Sequence, residues 1–168
     1  SAEAVANSPT SLPERQVMLS NAETLVQRFD YIVGRVDDVT KEMNSQIAGA
    51  VSEINQLAGG IATLNEEIAK VSGRTGGLPN DLLDQRDALI VQLSSLVDTK
   101  TVAQDDGSLN VFIGRGQPLV TGTVAETLAT KTDPDLGSTS IVTLSAFVAG
   151  SSDVSDFLTG GKLGAALT

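Results

Sequence analysis

Between Leu19 and Val71, apolar residues recur at alternating steps of three and four. The series runs Leu19, Ala22, Val26, Phe29, Val33, Val36, Thr40, Met43, Ile47, Ala50, Ile54, Leu57, Ile61, Leu64, Ile68, Val71, with Thr40 its one polar member. An average step of 3.5 keeps one seam of an α-helix turned toward the same neighbour, the spacing of a coiled coil or long bundle. At 1.5 Å per residue the seam would run roughly 80 Å, far beyond the helix of an ordinary compact domain. The pattern therefore predicts a stiff element whose stripe is sealed against the chain's own downstream segments. Gly34, Gly49, Gly59 and Gly60 interrupt it, and a glycine costs a helix roughly 1 kcal/mol relative to alanine. A kink or break is expected, if anywhere, near Gly59 and Gly60.

Upstream, Ser8, Pro9, Thr10, Ser11 and Pro13 read as a lead-in loop after a fragment of helix. Thr10 or Ser11 would cap the long helix, with Pro13 and Glu14 in its first turn. The solvated face carries Asp37 before Lys41 and Glu66 before Lys70, acid-then-base pairs at i,i+4. Three glycines and a proline between Gly73 and Pro79 reverse the chain. Asn80 or Asp81 then caps a second helix with Leu82, Leu83, Leu89, Ile90, Leu93, Leu96 and Val97 on one face. Its expected mate is the C-terminal half of the long helix, in an antiparallel hairpin. Arg86 falls among those leucines and reads as snorkelling, or as paired with Asp84, Asp87 or a carboxylate across the hairpin.

After Asp98 the period becomes alternating. Strands are expected at 101–104, 109–113, 118–121, 127–130 and 141–148, with loops at 114–117 and 133–138. Asp105-Asp106-Gly107 marks a hairpin, because glycine takes the positive φ such a turn needs. The fold class is α+β: an elongated antiparallel helix hairpin over 1–99, then a small antiparallel β-meander at one end within 100–168. Together they form one domain. Gly160 to Leu167 looks like the start of another helix, which suggests a fragment of a longer chain.

Composition narrows the function. The 168 residues carry 11 Lys and Arg against 21 Asp and Glu, a formal charge of −10. With no basic run, nucleic acid and anionic membrane surfaces are poor partners. No stretch has the length and apolarity of a transmembrane helix, and the N-terminus lacks a signal-peptide layout. Neither His nor Cys occurs, which removes the commonest acid-base, nucleophilic and metal-binding constellations. Asp105-Asp106-Gly107 lacks the alternating ligands of a calcium loop, and Gly161-Lys162 lacks the frame of a phosphate loop. No motif supports a Ser–Lys pair. The residues thus point to no catalytic, cofactor or metal site and to an elongated assembly protein.

One run is more specific. Asn80-Asp81-Leu82-Leu83-Asp84-Gln85-Arg86-Asp87, then Gln104-Asp105-Asp106-Gly107 and the stretch 110–120, resembles the FlgK family of flagellar hook-associated proteins. The segments 44–47, 54–58 and 158–164 are similar to the family's long helix and its glycine-rich approach to the next helix. The resemblance implies a structural subunit of the extracellular flagellar axis, exported unfolded by the flagellar type III system. It would lie between hook and filament and support filament assembly. Implied partners are copies of itself, hook protein, adjacent junction and filament proteins, and an export chaperone bound through a C-terminal region missing here. With the family's core-forming ends also missing, the fragment alone would be monomeric. The runner-up is a secreted coiled-coil adhesin module, which would self-associate in parallel through the seam rather than fold back on itself.

Overall fold

The computed structural model describes residues 6, 10–75, 77, 79–132, 140–145, 151–155 and 158–167. A single helix, α1, runs Leu12–Thr75, 64 residues, with Glu14 in its first turn and Arg74 in its last. Both charges suit the helix dipole. The helix passes through Gly59 and Gly60 without a break. Gly60 has a packing reason: a Cβ there would lie 2.9 Å from Leu89 Cδ1 on the second helix. The lead-in expected before Thr10 lies, apart from Ala6, outside the described residues.

The second helix, α2, spans Asn80–Leu96. Its cap differs from expectation. Pro79 is the extended residue at the N-cap (φ −79°, ψ 99°), so Asn80 and Asp81 fall inside the helix and no side chain caps it. The Pro79 carbonyl accepts the N–H of Leu82 and Leu83 instead. The helices run antiparallel: Gly60 faces Leu89, while Asn65, further along α1, meets Arg86, earlier in α2.

Residues 1–42 and 43–168 are two compact units. In the second, the seam residues Ile47, Ile54, Leu57, Ile61 and Ile68 are buried and Leu64 and Val71 half-buried, whereas Met43 is exposed. The core that most of them enter also takes Leu93, Leu96 and Val97 from α2 and extends to Leu128, Leu158 and Leu163. Residues on both sides of position 99 therefore share it. In the first unit the stripe is open: Phe29, Val33 and Val36 are 59%, 57% and 58% exposed. This corrects the expectation that the chain seals its whole seam. The apolar spacing continues upstream of Met43, and there its residues are exposed.

The expected antiparallel meander is present as the first of two sheets. The first, in the order β1-β2-β3-β4, is built from Thr99–Ala103, Leu109–Ile113, Gln117–Thr121 and Val124–Ala125. It pairs Thr101 with Val111 and presents Val111, Ile113, Leu119 and Val120 to the core. A bulge between Val111 and Phe112 shifts the β2–β3 register, and both Leu119 and Val120 are buried. The second sheet joins β5 (Thr127–Thr132), β6 (Ser140–Ser145) and β7 (Ser151–Asp153), with Leu128 opposite Leu144. Between the sheets Glu126 donates its N–H to the Leu119 carbonyl, and the next strand takes new partners. The expected loop at 133–138 and the end of the expected strand at 146–148 lie outside the described residues. A short helix, α3, spans Gly161–Leu167.

Candidate functional site: a polar cluster and an open helix face

The family-like runs meet at one polar cluster. Asn65 is fully buried and uses all its hydrogen-bonding capacity. Its Nδ2 donates to the carbonyls of Leu109 (2.8 Å) and Gly122 (2.6 Å). Its Oδ1 accepts from the Leu109 N–H (3.1 Å) and Arg86 Nη1 (3.3 Å). Arg86 Nη1 also donates to the Gly107 carbonyl at 2.7 Å, tying the second helix to the Asp105-Asp106-Gly107 turn. Arg86 is 5% exposed, so its guanidinium does not snorkel, and its hydrogen bonds go to neutral oxygens. Asp87 Oδ1 stands 4.0 Å from Nε, beyond hydrogen-bond reach, and Nε itself is buried with no acceptor. Burial lowers the Arg86 pKa, partly opposed by Asp87, and an arginine so placed stays charged.

The rest of the Asn80–Asp87 run divides by face. Leu82 and Leu83 are half-buried, while Asn80, Asp81, Asp84, Gln85 and Asp87 are exposed. In the turn, Asp106 Oδ1 accepts both the N–H (2.9 Å) and the hydroxyl (2.6 Å) of Ser108. Those bonds hold the Asp106 carboxyl below the usual aspartate range, the hydroxyl contributing most. Gly107 takes φ 85°, and the Gln104 N–H donates to the Ser108 carbonyl across the hairpin. Asp105 is exposed.

Sequence reasoning missed a second use of the same device. Asn55 Nδ2 donates to the Leu128 carbonyl and Asn55 Oδ1 accepts the Leu128 N–H, both at 2.9 Å. Two asparagines ten positions apart on α1 thus each grip a leucine backbone as a neighbouring strand would, one in each sheet. A third junction sits at Asp98, whose N–H donates to the Thr159 carbonyl and whose carboxylate accepts the Thr159 hydroxyl. There Gly161, at φ 60°, comes so near the end of α2 that a Cβ would lie 2.3 Å from the Leu96 carbonyl carbon.

Among the described residues no group of three or more Asp or Glu side chains is placed to hold a metal ion, and no helix is long and apolar enough to cross a membrane. The surface feature that does stand out is the open face in residues 12–42. Two of the molecule's concavities lie along it, one lined by Leu12, Met18, Leu19 and Ala22, the other by Tyr31, Ile32, Val36 and Val39. Thr40 does not interrupt it with an unsatisfied hydroxyl, which donates to the Val36 carbonyl at 2.8 Å.

Residues 1–168 match the family described as the flagellar hook-associated protein FlgK helical domain. The chain belongs to this FlgK family. Flagellar hook-associated protein 1 of Salmonella typhimurium is 39% identical over 116 residues, which cover 68% of this chain and 21% of that protein. The Bacillus subtilis protein of the same description is 31% identical over 133 residues, 79% of this chain and 25% of its own length. The chain thus spans a fifth to a quarter of these FlgK-family relatives. The structure of the flagellar hook junction protein FlgK from Burkholderia pseudomallei superposes with a TM-score of 0.84 at 34% identity, covering 98% of this chain and 30% of that one.

Proposed function

We propose that the chain serves as a structural part of a flagellar junction subunit, lying between hook and filament outside the cell and supporting filament assembly. The observation that carries this reading is a built interior with an unfinished surface. Polar groups are spent on fixing strands to helices, at Asn55, Asn65 and Arg86, while most of the exposed large hydrophobic side chains among the described residues lie along one helix. A catalyst needs convergent, water-excluding polar groups in a pocket, whereas a subunit needs extended faces that many copies can share. The structural role of the chain's FlgK family supports the same reading.

Its partners in this reading are copies of itself, hook protein and the neighbouring junction and filament proteins. Export runs through the flagellar type III system, with a chaperone bound by a region outside these residues. No nucleic acid, membrane, cofactor or metal takes part. The exposed Arg115 and Asp106 turns, with the helix surface, are the contact regions. The test is complementation of a strain lacking the junction protein by the full-length protein carrying Asp106→Lys, Arg115→Glu and helix-face charge reversals. Export with failed filament growth is expected, and wild-type swimming from every variant would overturn the assignment of these surfaces.

A further inference from the structure

The sheet formed by β1 to β4 carries opposite charges at its two ends. In an antiparallel meander the β1–β2 and β2–β3 turns lie at opposite ends, here set apart by five-residue strands, or roughly 17 Å. At one end the β2–β3 turn lifts Arg115 between Gly114 (φ 54°) and Gly116 (φ 113°), and the Gly116 N–H donates to the Ile113 carbonyl at 3.1 Å. Lys100 stands at the same end, opposite Phe112 on the face turned away from the core. Both cations are exposed, and among the described residues neither has an ion pair. Asp98 is also here, but its carboxylate accepts the Thr159 hydroxyl. At the other end an open concavity of about 410 Å³ is lined by Asp105 and Asp106 together with Gln104, Asn110 and Thr121. Both acids are exposed and, among the described residues, without a cation. Ser108 engages Asp106 Oδ1 alone, so Oδ2 has no partner there. Arg86, which reaches this turn, is buried and committed to Asn65 and the Gly107 carbonyl.

We infer that the Arg115 turn of one copy of this chain docks into the Asp105-Asp106 concavity of the next copy, head to tail. The inference rests on the reading of the chain as a subunit that packs beside its own copies. Two bases answer two acids, and the ends of one rigid sheet cannot meet within a molecule. Copies set in the same orientation bring them together, and each pair still has one end of each sign to offer. Such a contact is heterologous: it closes into a ring or runs on as a helix, the forms open to a subunit repeated about an axis. Net charge favours the same pairing. With 11 bases against 21 acids the copies repel one another, so an exposed, unpaired set of cations is the point at which an acidic copy can be approached. Arginine suits the tip because its planar fork binds a carboxylate through two N–H donors. Both ends are already ordered. Arg86 holds the Gly107 carbonyl, and the Asp98 carbonyl accepts the Gly114 N–H at 2.8 Å, so docking has little freedom left to remove. A turn seated in a concavity buries less than the roughly 1,000 Å² of a stable pair. The contact therefore sets register among copies already assembled.

The test uses the full-length protein in a strain lacking it. Lys100→Glu with Arg115→Glu reverses one end. Asp105→Lys with Asp106→Asn reverses the other, and the asparagine keeps an Oδ1 acceptor for Ser108. Each pair of substitutions is expected to leave export intact and to cut the number of filament-bearing cells at least tenfold. All four together make the ends opposite again, and filaments are expected to return to at least half the unsubstituted number. Misfolding would not give that rescue, and thermal unfolding of each purified protein checks for it. Cross-linking reads the geometry, since these 168 residues hold no cysteine. Pro118→Cys, near the arginine turn, and Gln104→Cys, lining the concavity, are placed in one chain, and intact flagella are treated with a short bismaleimide. A ladder of dimers, trimers and longer products is expected, with none from either single-cysteine protein. Dimers from a single-cysteine protein would show symmetric pairing and overturn the inference, as would the absence of a ladder from the double-cysteine protein. If both paired variants fail and the fourfold variant does not recover, the turns contact other proteins: the inference falls and their assignment as contact regions stands. Normal filaments from one paired variant overturn the inference, and from both they overturn that assignment too.

Discussion

Asn65 and Arg86 hold three elements with hydrogen bonds to backbone groups that have few alternatives. Asn65→Ala leaves the Leu109 N–H, the Leu109 and Gly122 carbonyls and the guanidinium short of partners in a dry site. Each unsatisfied group costs about 1–3 kcal/mol without simple additivity. Urea unfolding is expected to show a loss of about 2–4 kcal/mol, against roughly 1–2 for Asn55→Ala, whose two bonds are part-buried. Arg86→Met removes the charge while keeping the bulk, and its effect combined with Asn65→Ala should fall short of the sum, because the residues share one network. Asp106 gives a pH reading. Its carboxyl is lowered in the folded chain, so its turn is favoured above the unfolded pKa, and that favour is lost as pH falls through the folded value. In Ser108→Ala the carboxyl should titrate nearer the ordinary aspartate range, as followed by carboxyl carbon NMR shifts. The sequence made Arg86 conspicuous, as a cation among leucines, but hid its partners. An asparagine on a helix has no periodic signature, and the backbone groups that Asn55 and Asn65 hold lie 73 and 44 residues away.

Elements were legible where a long pattern existed. The long helix, the second helix, the Asp106-Gly107 hairpin and five strand positions all announce themselves through spacing or turn chemistry. Val124–Ala125 and Ser151–Asp153 do not, since two or three residues are too few to show alternation. The seam was readable as apolar, but spacing says only that a face is greasy and cannot say what covers it. That distinction gives a prediction about helix dynamics. Isolated helices are marginal in water, and most helical stability comes from packing of the apolar face. Amides in residues 12–42 are therefore expected to exchange much faster than those from Ile47 to Ile68 in dilute solution, by hydrogen-exchange mass spectrometry. At the other end Gly161→Ala combines a positive φ with a Cβ directed into the end of α2, and should loosen α3 while leaving the β1–β2 hairpin protected.

For the molecule as a whole, the location of the core has a consequence for folding. Among the described residues, the buried hydrophobic cluster lies between Ile47 and Leu163, and the compact unit containing it begins at Met43. Large stability losses come from cavities, stranded polar groups or broken networks. Deleting residues 1–42 creates none of these within the cluster, because the asparagine grips, the Arg86 network and the Asp98 junction all lie beyond the cut. A chain beginning at Met43 is thus expected to unfold in one cooperative transition with a urea midpoint close to that of the 168-residue chain. Its near-ultraviolet signal gives no useful check, since the described core holds few aromatics, so the readout is helical ellipticity together with exchange protection at Leu93, Leu96 and Val111. Ellipticity should fall by the share of helix removed, while protection at those three positions is retained. Loss of the cooperative transition would mean that the first 42 residues support the core. Retention would place the support of both sheets in the part of the helix beyond Met43, through Asn55 and Asn65.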